Sequence, residues 1–505
     1  MIASLLAQAG GWTAPDIDWH ALAPEIILAV GINVVLLVDL WLDESKKWMQ
    51  ATLSGVVLLA AFVPVVTLAL SDEGARELFD GRYVVDNYSL ILKAFFLLTG
   101  YVVILLSQTE LEEGGYYQGE YYLMMLASLL GMVTMASSRD LVAVFVAFEL
   151  LSIPTYLMAT WRKRDVRSNE AGVKYYLMGV FATGVLLFGM SYLYGTTGTT
   201  KLVDIGTALG SGELLPMSIV GIVFVIVGFA FKISAVPFHT WAPDTYEGAP
   251  LPVTAYLSVA SKAGGFVALL NVLYLAMFPA DSVVEPFIWV MAALTMTVGN
   301  VLALRQTNFV RMLAYSSVSQ GGFILMPLAV LATNDAGESA LRSVVIYLVI
   351  YAFSNLGAFG VVMAVSRKTG SGSIESFGGL IQYAPGLAVL QTIFLASLAG
   401  WPPLGIWIAK LQAFKTLLDA GDTAAVTLAI VAAINTVISA AYYMKVLRVI
   451  WMKPVPDGDT APIVTPQPIK LALGLCAAGT LVLGILPGLV LRFADINDFT
   501  GALGR

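Results

Sequence analysis

Charge is scarce in this chain: of 505 residues only 12% are Asp, Glu, Lys or Arg, about half the share of a soluble domain. Cysteine occurs once, as Cys476 in an apolar stretch, which excludes a disulfide framework and iron–sulfur ligation. The two histidines, His20 and His239, are too few for a dihaem core. No cluster of His, Cys, Asp and Glu has ligand spacing, so no metal is expected. No basic block points to nucleic acid. Met1 to Gly11 lack a basic stretch, so no cleaved signal peptide is expected. The net charge of −7 comes mostly from loops such as Glu110-Leu111-Glu112-Glu113 and Asp72-Glu73.

Apolar residues are abundant: 58% of the chain is hydrophobic and its mean hydropathy is +0.82. Lipid offers the backbone no hydrogen-bond partner, so spanning segments must be helices or a closed barrel. The apolar runs are continuous rather than alternating, which predicts helices. About fourteen segments approach bilayer length: 23–42, 50–71, 87–107, 119–137, 140–161, 169–194, 216–239, 252–277, 285–304, 311–332, 340–366, 385–418, 424–451 and 468–492. The expected fold class is an all-α polytopic membrane protein.

Loops after odd-numbered segments carry Lys46, Lys47, Arg162, Lys163, Arg164, Arg167, Arg305, Arg367, Lys368 and Lys453. The others carry Arg76, Arg82, Arg139, Lys201 and little else. This bias places the first set in the cytoplasm and both termini on the opposite side, the periplasm for a bacterial protein.

Two segments contain breakers. One reads Phe231-Lys232-Ile233-Ser234-Ala235-Val236-Pro237-Phe238-His239, the other Trp401-Pro402-Pro403-Leu404-Gly405-Ile406-Trp407-Ile408-Ala409-Lys410. Proline removes an intrahelical bond, and such a break survives in a membrane only where protein or a hydrated cavity re-satisfies the backbone. The breaks lie five segments apart. Lysine precedes proline in the first and follows it in the second. An inverted five-helix repeat would produce this reversal and would mark an ion pathway; two unrelated proline kinks are the plainer alternative.

Ionisable residues inside apolar segments carry the functional signal: Glu149, Lys174, Lys232, Lys262 and Lys410. A charge at the bilayer centre costs about 2.5–3.5 kcal/mol on the insertion scale. Lysine among apolar groups can alternate between charged and neutral forms, and a carboxylate nearby biases it; arginine cannot. Lys174, near its segment start, reads equally as a snorkelling side chain, and Lys93 and Lys415 read as snorkelling or structural. A structural pair of Glu149 with Lys174 or Lys232 is the competing account. His239 either passes protons onward or is a hydrogen-bonded structural histidine. Asp39 and Glu25 read as interfacial or interhelical contacts.

The run Val236-Pro237-Phe238-His239-Thr240-Trp241-Ala242-Pro243-Asp244-Thr245-Tyr246-Glu247-Gly248-Ala249-Pro250 resembles the signature of subunit N of bacterial complex I, the respiratory NADH:quinone oxidoreductase. Leu251 to Lys262, Phe148-Glu149-Leu150-Leu151-Ser152-Ile153-Pro154, Arg311-Met312-Leu313-Ala314-Tyr315-Ser316-Ser317 and Pro24-Glu25-Ile26 fit the same family. Lys410, where the related subunit M has glutamate, and the short stretch after the last span separate it from subunits M and L.

The resemblance implies fourteen helices: three N-terminal ones in 1–118, inverted antiporter-like repeats in 119–277 and 285–453, and a last helix in 467–505. It also implies that Glu149 pairs with and modulates Lys232, that Lys262 connects the halves, and that Lys410 serves the second half-channel. Lys174 matches a further family lysine, and His239 would lie between the lysines. NADH, FMN, iron–sulfur clusters and quinone belong to other subunits; this chain binds none. Implied partners are neighbours resembling subunits M and K, the lateral helix of subunit L, and lipids. Two departures stand out: Gln320 follows Ser319 where the family often has histidine, and Val310 replaces a lysine before Arg311. The rival functions are a multi-subunit cation/proton antiporter subunit and a non-pumping scaffold.

Overall fold

The computed structural model describes residues 17–71, 74–333, 336–456 and 458–493. The Met1–Gly11 stretch, Asp72-Glu73 and both chain ends lie outside these residues. The first helices are α1 Ala23–Trp41, α2 Met49–Ala69, α3 Asn87–Gly114, α4 Gln118–Ser137, α5 Leu141–Ala159 and α6 Val166–Thr197. A hairpin of β1 Arg76–Leu78 and β2 Tyr83–Val85 joins α2 to α3. Next come α7 Leu202–Gly210, α8 Pro216–Lys232, α9 Trp241–Gly248, α10 Leu251–Tyr256, α11 Lys262–Val272, α12 Asp281–Leu304 and α13 Phe309–Leu325. The remainder is α14 Gly337–Thr369, α15 Leu380–Tyr383, α16 Pro385–Ala399, α17 Gly405–Ala420, α18 Thr423–Met452, α19 Gln467–Ile485 and α20 Gly488–Phe493. Among the described residues, 11 helical stretches are long and apolar enough to cross a membrane, with Leu251–Leu304 counted as one; α8 and α16 are shorter apolar helices.

Helix ends follow local chemistry. Asp86, Asp140, Asp165, Asn308 and Asp422 accept hydrogen bonds from the first-turn amides of α3, α5, α6, α13 and α18, satisfying donors that have no partner within the helix. Gly115 closes α3 in the left-handed conformation, which glycine adopts without steric penalty. Because α3 continues to Gly114, Glu110, Glu112 and Glu113 are helical and not part of a loop.

Both breaker segments interrupt their helices. The 216–239 segment stops at Lys232, the end of α8, and resumes at α9. The 385–418 segment stops at Ala399 and resumes at Gly405. Each gap holds a cis X–Pro bond, Val236–Pro237 and Pro402–Pro403.

The charged side chains collect at two ends of the helix bundle. At one end Arg162 pairs with Glu110, Arg367 with Glu113, Arg311 with Asp244 and Glu247, and Lys453 with Glu375. At the other, Arg76 pairs with Asp18 and Arg82 with Asp140. Between the ends, outward faces of α6 and α18 expose Leu177, Phe181, Ile430 and Val437.

Among the described residues, two ion pairs lie inside the protein. Arg139 meets Asp86 at 3.0 Å with both side chains 4% exposed. Lys93 meets Glu25 at 2.8 Å, and Tyr83 donates to the same carboxylate at 2.6 Å. Lys93 and Glu25 are therefore structural partners of each other.

Removing one member of a buried ion pair strands the other charge, at a cost of about 3–5 kcal/mol. Arg139→Met is expected to lower the thermal stability of the assembled complex in detergent, and Asp86→Asn added to it to recover part of the loss. A single variant as stable as the parent would show that water reaches Asp86.

Candidate functional site

Lys232, at the last position of α8, is 1% exposed. Its ammonium donates to the Tyr175 hydroxyl at 2.9 Å and stands 5.4–6.0 Å from the ring centres of Phe148, Tyr156 and Tyr175, which stabilise a cation through their π faces. Tyr175 stacks on Trp241 at 4.4 Å. The Phe231 carbonyl accepts from the Trp241 indole at 2.9 Å and from the Ser234 N–H at 3.0 Å, so the first residue of α9 and the break itself both bond the end of α8.

Lys262 opens α11 directly after a π-helical turn, Leu257–Ser261; such turns often accompany functional positions. It is 1% exposed, and its ammonium donates to the Ser317 carbonyl at 2.5 Å and hydroxyl at 2.6 Å. Lys410, on α17, is 3% exposed and donates to the Ala399 carbonyl at 3.2 Å, over the ring of Phe323. Ala399 is the last residue of α16, where carbonyls have no intrahelical donor. Each of the three lysines is thus held by a neutral oxygen. None forms an ion pair with a carboxylate among the described residues.

The other candidates fall elsewhere. Glu149 pairs with neither Lys232 nor Lys174; it is half-buried between α5 and α6 and accepts a 2.9 Å hydrogen bond from Thr183. Tyr175 and the surrounding rings, not Glu149, occupy the space around the Lys232 ammonium. Lys174 is 44% exposed and pairs with Glu170 at 2.7 Å and Asp244 at 3.0 Å. It joins Arg167, Glu247 and Arg311 around a cavity of about 230 Å³ at the edge of the bundle, apart from the buried lysines. His239 sits in the first break with its Nδ1 buried and unbonded; no hydrogen bond joins it to Lys232 or Lys262.

Hydroxyl groups, which the sequence reading passed over, and the amide of Gln320 link the lysines to their surroundings. Tyr175 and Ser317 hold two of them directly. Ser316 and Tyr443 share a 2.5 Å hydrogen bond. Gln320 donates to the Leu398 carbonyl at 2.9 Å and accepts from Tyr347 at 2.5 Å. Tyr246 and Tyr351 bury their hydroxyls beside Ser317. The available signal was spacing: Tyr347 and Tyr351 are four apart on an apolar helix and so share a face.

A family model described as NADH:quinone oxidoreductase/Mrp antiporter, transmembrane, matches residues 138–439. NADH-quinone oxidoreductase subunit N of Trichlorobacter lovleyi is 38% identical over 95% of this chain and 96% of its own. The chain belongs to the subunit N family of NADH-quinone oxidoreductase. The subunit N of Geobacillus kaustophilus is 37% identical, covering 95% of this chain and 98% of its own. A chain of respiratory complex I from Thermus thermophilus superposes with a TM-score of 0.75 at 28% identity, covering 93% of this chain and 98% of that one. A chain of the Mrp complex from a Dietzia species shares the fold, with a TM-score of 0.84 at 20% identity over 96% of this chain and 100% of that one.

In this subunit N family member, exposure separates Lys174 from the other three candidate lysines. A water-soluble amine-acylating reagent is expected to modify Lys174 in the solubilised complex and to leave Lys232, Lys262 and Lys410 unmodified, read by peptide mass spectrometry. Equal modification of all four would contradict the buried placement.

Proposed function

We propose that this chain is a proton-translocating subunit of the membrane arm of NADH:quinone oxidoreductase. The observation that carries this reading is the set of three lysines, each at most 3% exposed and each held by neutral oxygen, around two interior helix breaks. Such ammoniums are costly to bury and only a function that uses their charge accounts for all three. NADH, FMN, iron–sulfur clusters and quinone act in other subunits, and this chain holds no redox centre.

The architecture that suits this role has fourteen spans, with each broken helix counted once and Leu251–Leu304 counted as two. Helices 4–8, in 119–277, and 9–13, in 285–453, form inverted repeats. They follow three helices in 1–118 and precede the last in 467–505. Lys232 before its break and Lys410 after its own support the inversion. A glycine-mediated close approach between the first two helices of each unit supports the repeat: a Cβ at Gly131 would lie 2.6 Å from Leu151 N and one at Gly299 2.7 Å from Ser319 N.

A proton would be taken up near Lys174 and Asp244, pass Lys232, cross at Lys262 and reach Lys410. His239 would assist at the first break. Glu149, on the outer face of α5, would report electrostatic change in a neighbouring subunit to Lys232 across Phe148. The neighbours would resemble subunits M and K, with the lateral helix of subunit L and lipids alongside. The end bearing Arg162, Arg311 and Arg367 would face the cytoplasm of a bacterial cell, across its inner membrane, with both termini periplasmic. The fold shared with the Mrp chain favours one second reading, a cation/proton antiporter subunit; co-purification with NADH-oxidising subunits separates the two.

In membrane vesicles, Lys232→Met is expected to lower proton pumping by roughly 100-fold, normalised to assembled complex, and Glu149→Gln to lower it less. Pumping in both variants at the parental rate and the parental ratio of protons to electrons transferred would reduce the chain to a scaffold.

A further inference from the structure

Between Lys262 and Lys410 stands Gln320, an amide that neither takes nor gives a proton near neutral pH. We propose that proton transfer between the two lysines runs through the hydroxyl of Tyr443, with Gln320 as the residue that positions it; this rests on the relay reading above. Gln320 is 1% exposed on α13 and both ends of its amide are occupied. Its oxygen accepts from Tyr347 at 2.5 Å, and its nitrogen donates to the Leu398 carbonyl at 2.9 Å and reaches the Tyr443 oxygen at 3.5 Å. The amide can therefore orient neighbours but cannot relay.

The Tyr443 hydroxyl, wholly buried on α18, touches neither lysine and lies between the groups that adjoin the holders of each. On the Lys262 side it shares the 2.5 Å bond with Ser316, the residue before Ser317, whose carbonyl and hydroxyl hold the Lys262 ammonium. On the Lys410 side it meets the Gln320 nitrogen, bound in turn to the Leu398 carbonyl, next in the chain to the Ala399 carbonyl that holds Lys410. Gln320 approaches Tyr443 with an N–H, so the phenol oxygen accepts there, whereas in the bond to Ser316 either hydroxyl can donate and a proton can enter Tyr443 from that side.

In the transfer each hydroxyl accepts one proton and releases its own, with water bridging gaps wider than a hydrogen bond. Lys262 ends as a neutral amine, Lys410 as an ammonium, and Ser317, Ser316 and Tyr443 are unchanged. The purely structural account treats the same bonds as ties between α13, α14, α16 and α18, of the kind that join membrane helices.

The groups facing residue 320 are Tyr347 of α14, Tyr443 of α18 and, past the carbonyls at the end of α16, Lys410 of α17, with Lys262 behind Ser317. The test is NADH-driven pumping per electron in vesicles across pH 5–8, normalised to assembled complex. Tyr443→Phe is expected to lose roughly tenfold or more. Should that variant fail to assemble, Ser316→Ala removes the same bond with little change of volume and is expected to show the same loss. Gln320→His is expected to add a step to the pH profile between about pH 5 and 8 beyond the parent's own, since histidine titrates in that range. Normal pumping in Tyr443→Phe or Ser316→Ala, or a Gln320→His profile that matches the parent, would overturn the proposal. Lys410→Met, measured alongside, separates the two levels: if it too pumps normally the relay reading fails, and if it alone is impaired only the Tyr443 route fails.

Discussion

Lipid cannot hydrogen-bond a backbone, and the interior of this bundle is arranged around that constraint. An unbroken helix satisfies itself; a broken one leaves carbonyls and amides that must find partners within the protein. At the first break the Phe231 carbonyl accepts from both the Ser234 N–H and the Trp241 indole. The second gives the Leu398 carbonyl to Gln320 and the Ala399 carbonyl to Lys410. The second break thus supplies the oxygen that holds the Lys410 ammonium, while Lys232 and Lys262 take theirs from Tyr175 and Ser317 on neighbouring helices. Packing and chemistry meet at the same atoms.

This arrangement divides the charged residues into two kinds. Arg139–Asp86 and Lys93–Glu25 neutralise one another inside the protein and hold the first helices and the hairpin together. Lys232, Lys262 and Lys410 have only hydroxyls, carbonyls and rings around them. A paired charge is fixed in its ionised form, whereas an ammonium held by neutral oxygens can give up its proton without leaving an anion stranded. The distinction separates a structural tie from a proton carrier.

The membrane class, the helices and both breaks were legible in the sequence because continuous apolar runs and Pro237, Pro402 and Pro403 are local signals. The three buried lysines were legible for the same reason, since a lone charge in such a run is conspicuous. What binds them was not. The partners of Lys262 and Gln320 are 55 and 78 residues away, and serine, tyrosine and backbone oxygen do not stand out in apolar helices. Lys174 takes the exposed, paired position that its snorkelling reading describes, whereas Glu149 was expected beside Lys232 and bonds to Thr183 instead. Depth along a helix can be counted from sequence, but the face a residue presents depends on neighbouring helices, and both side chains point toward the periphery.

The central claim is that charge on the buried lysines is used in turnover, and Lys262, between the two broken helices, bears on it most directly. The measurement is the number of protons moved per electron in vesicles containing fully assembled Lys262→Met complex. The account predicts either arrested NADH oxidation or fewer protons per electron than the parent. Full turnover at the parental ratio would contradict it.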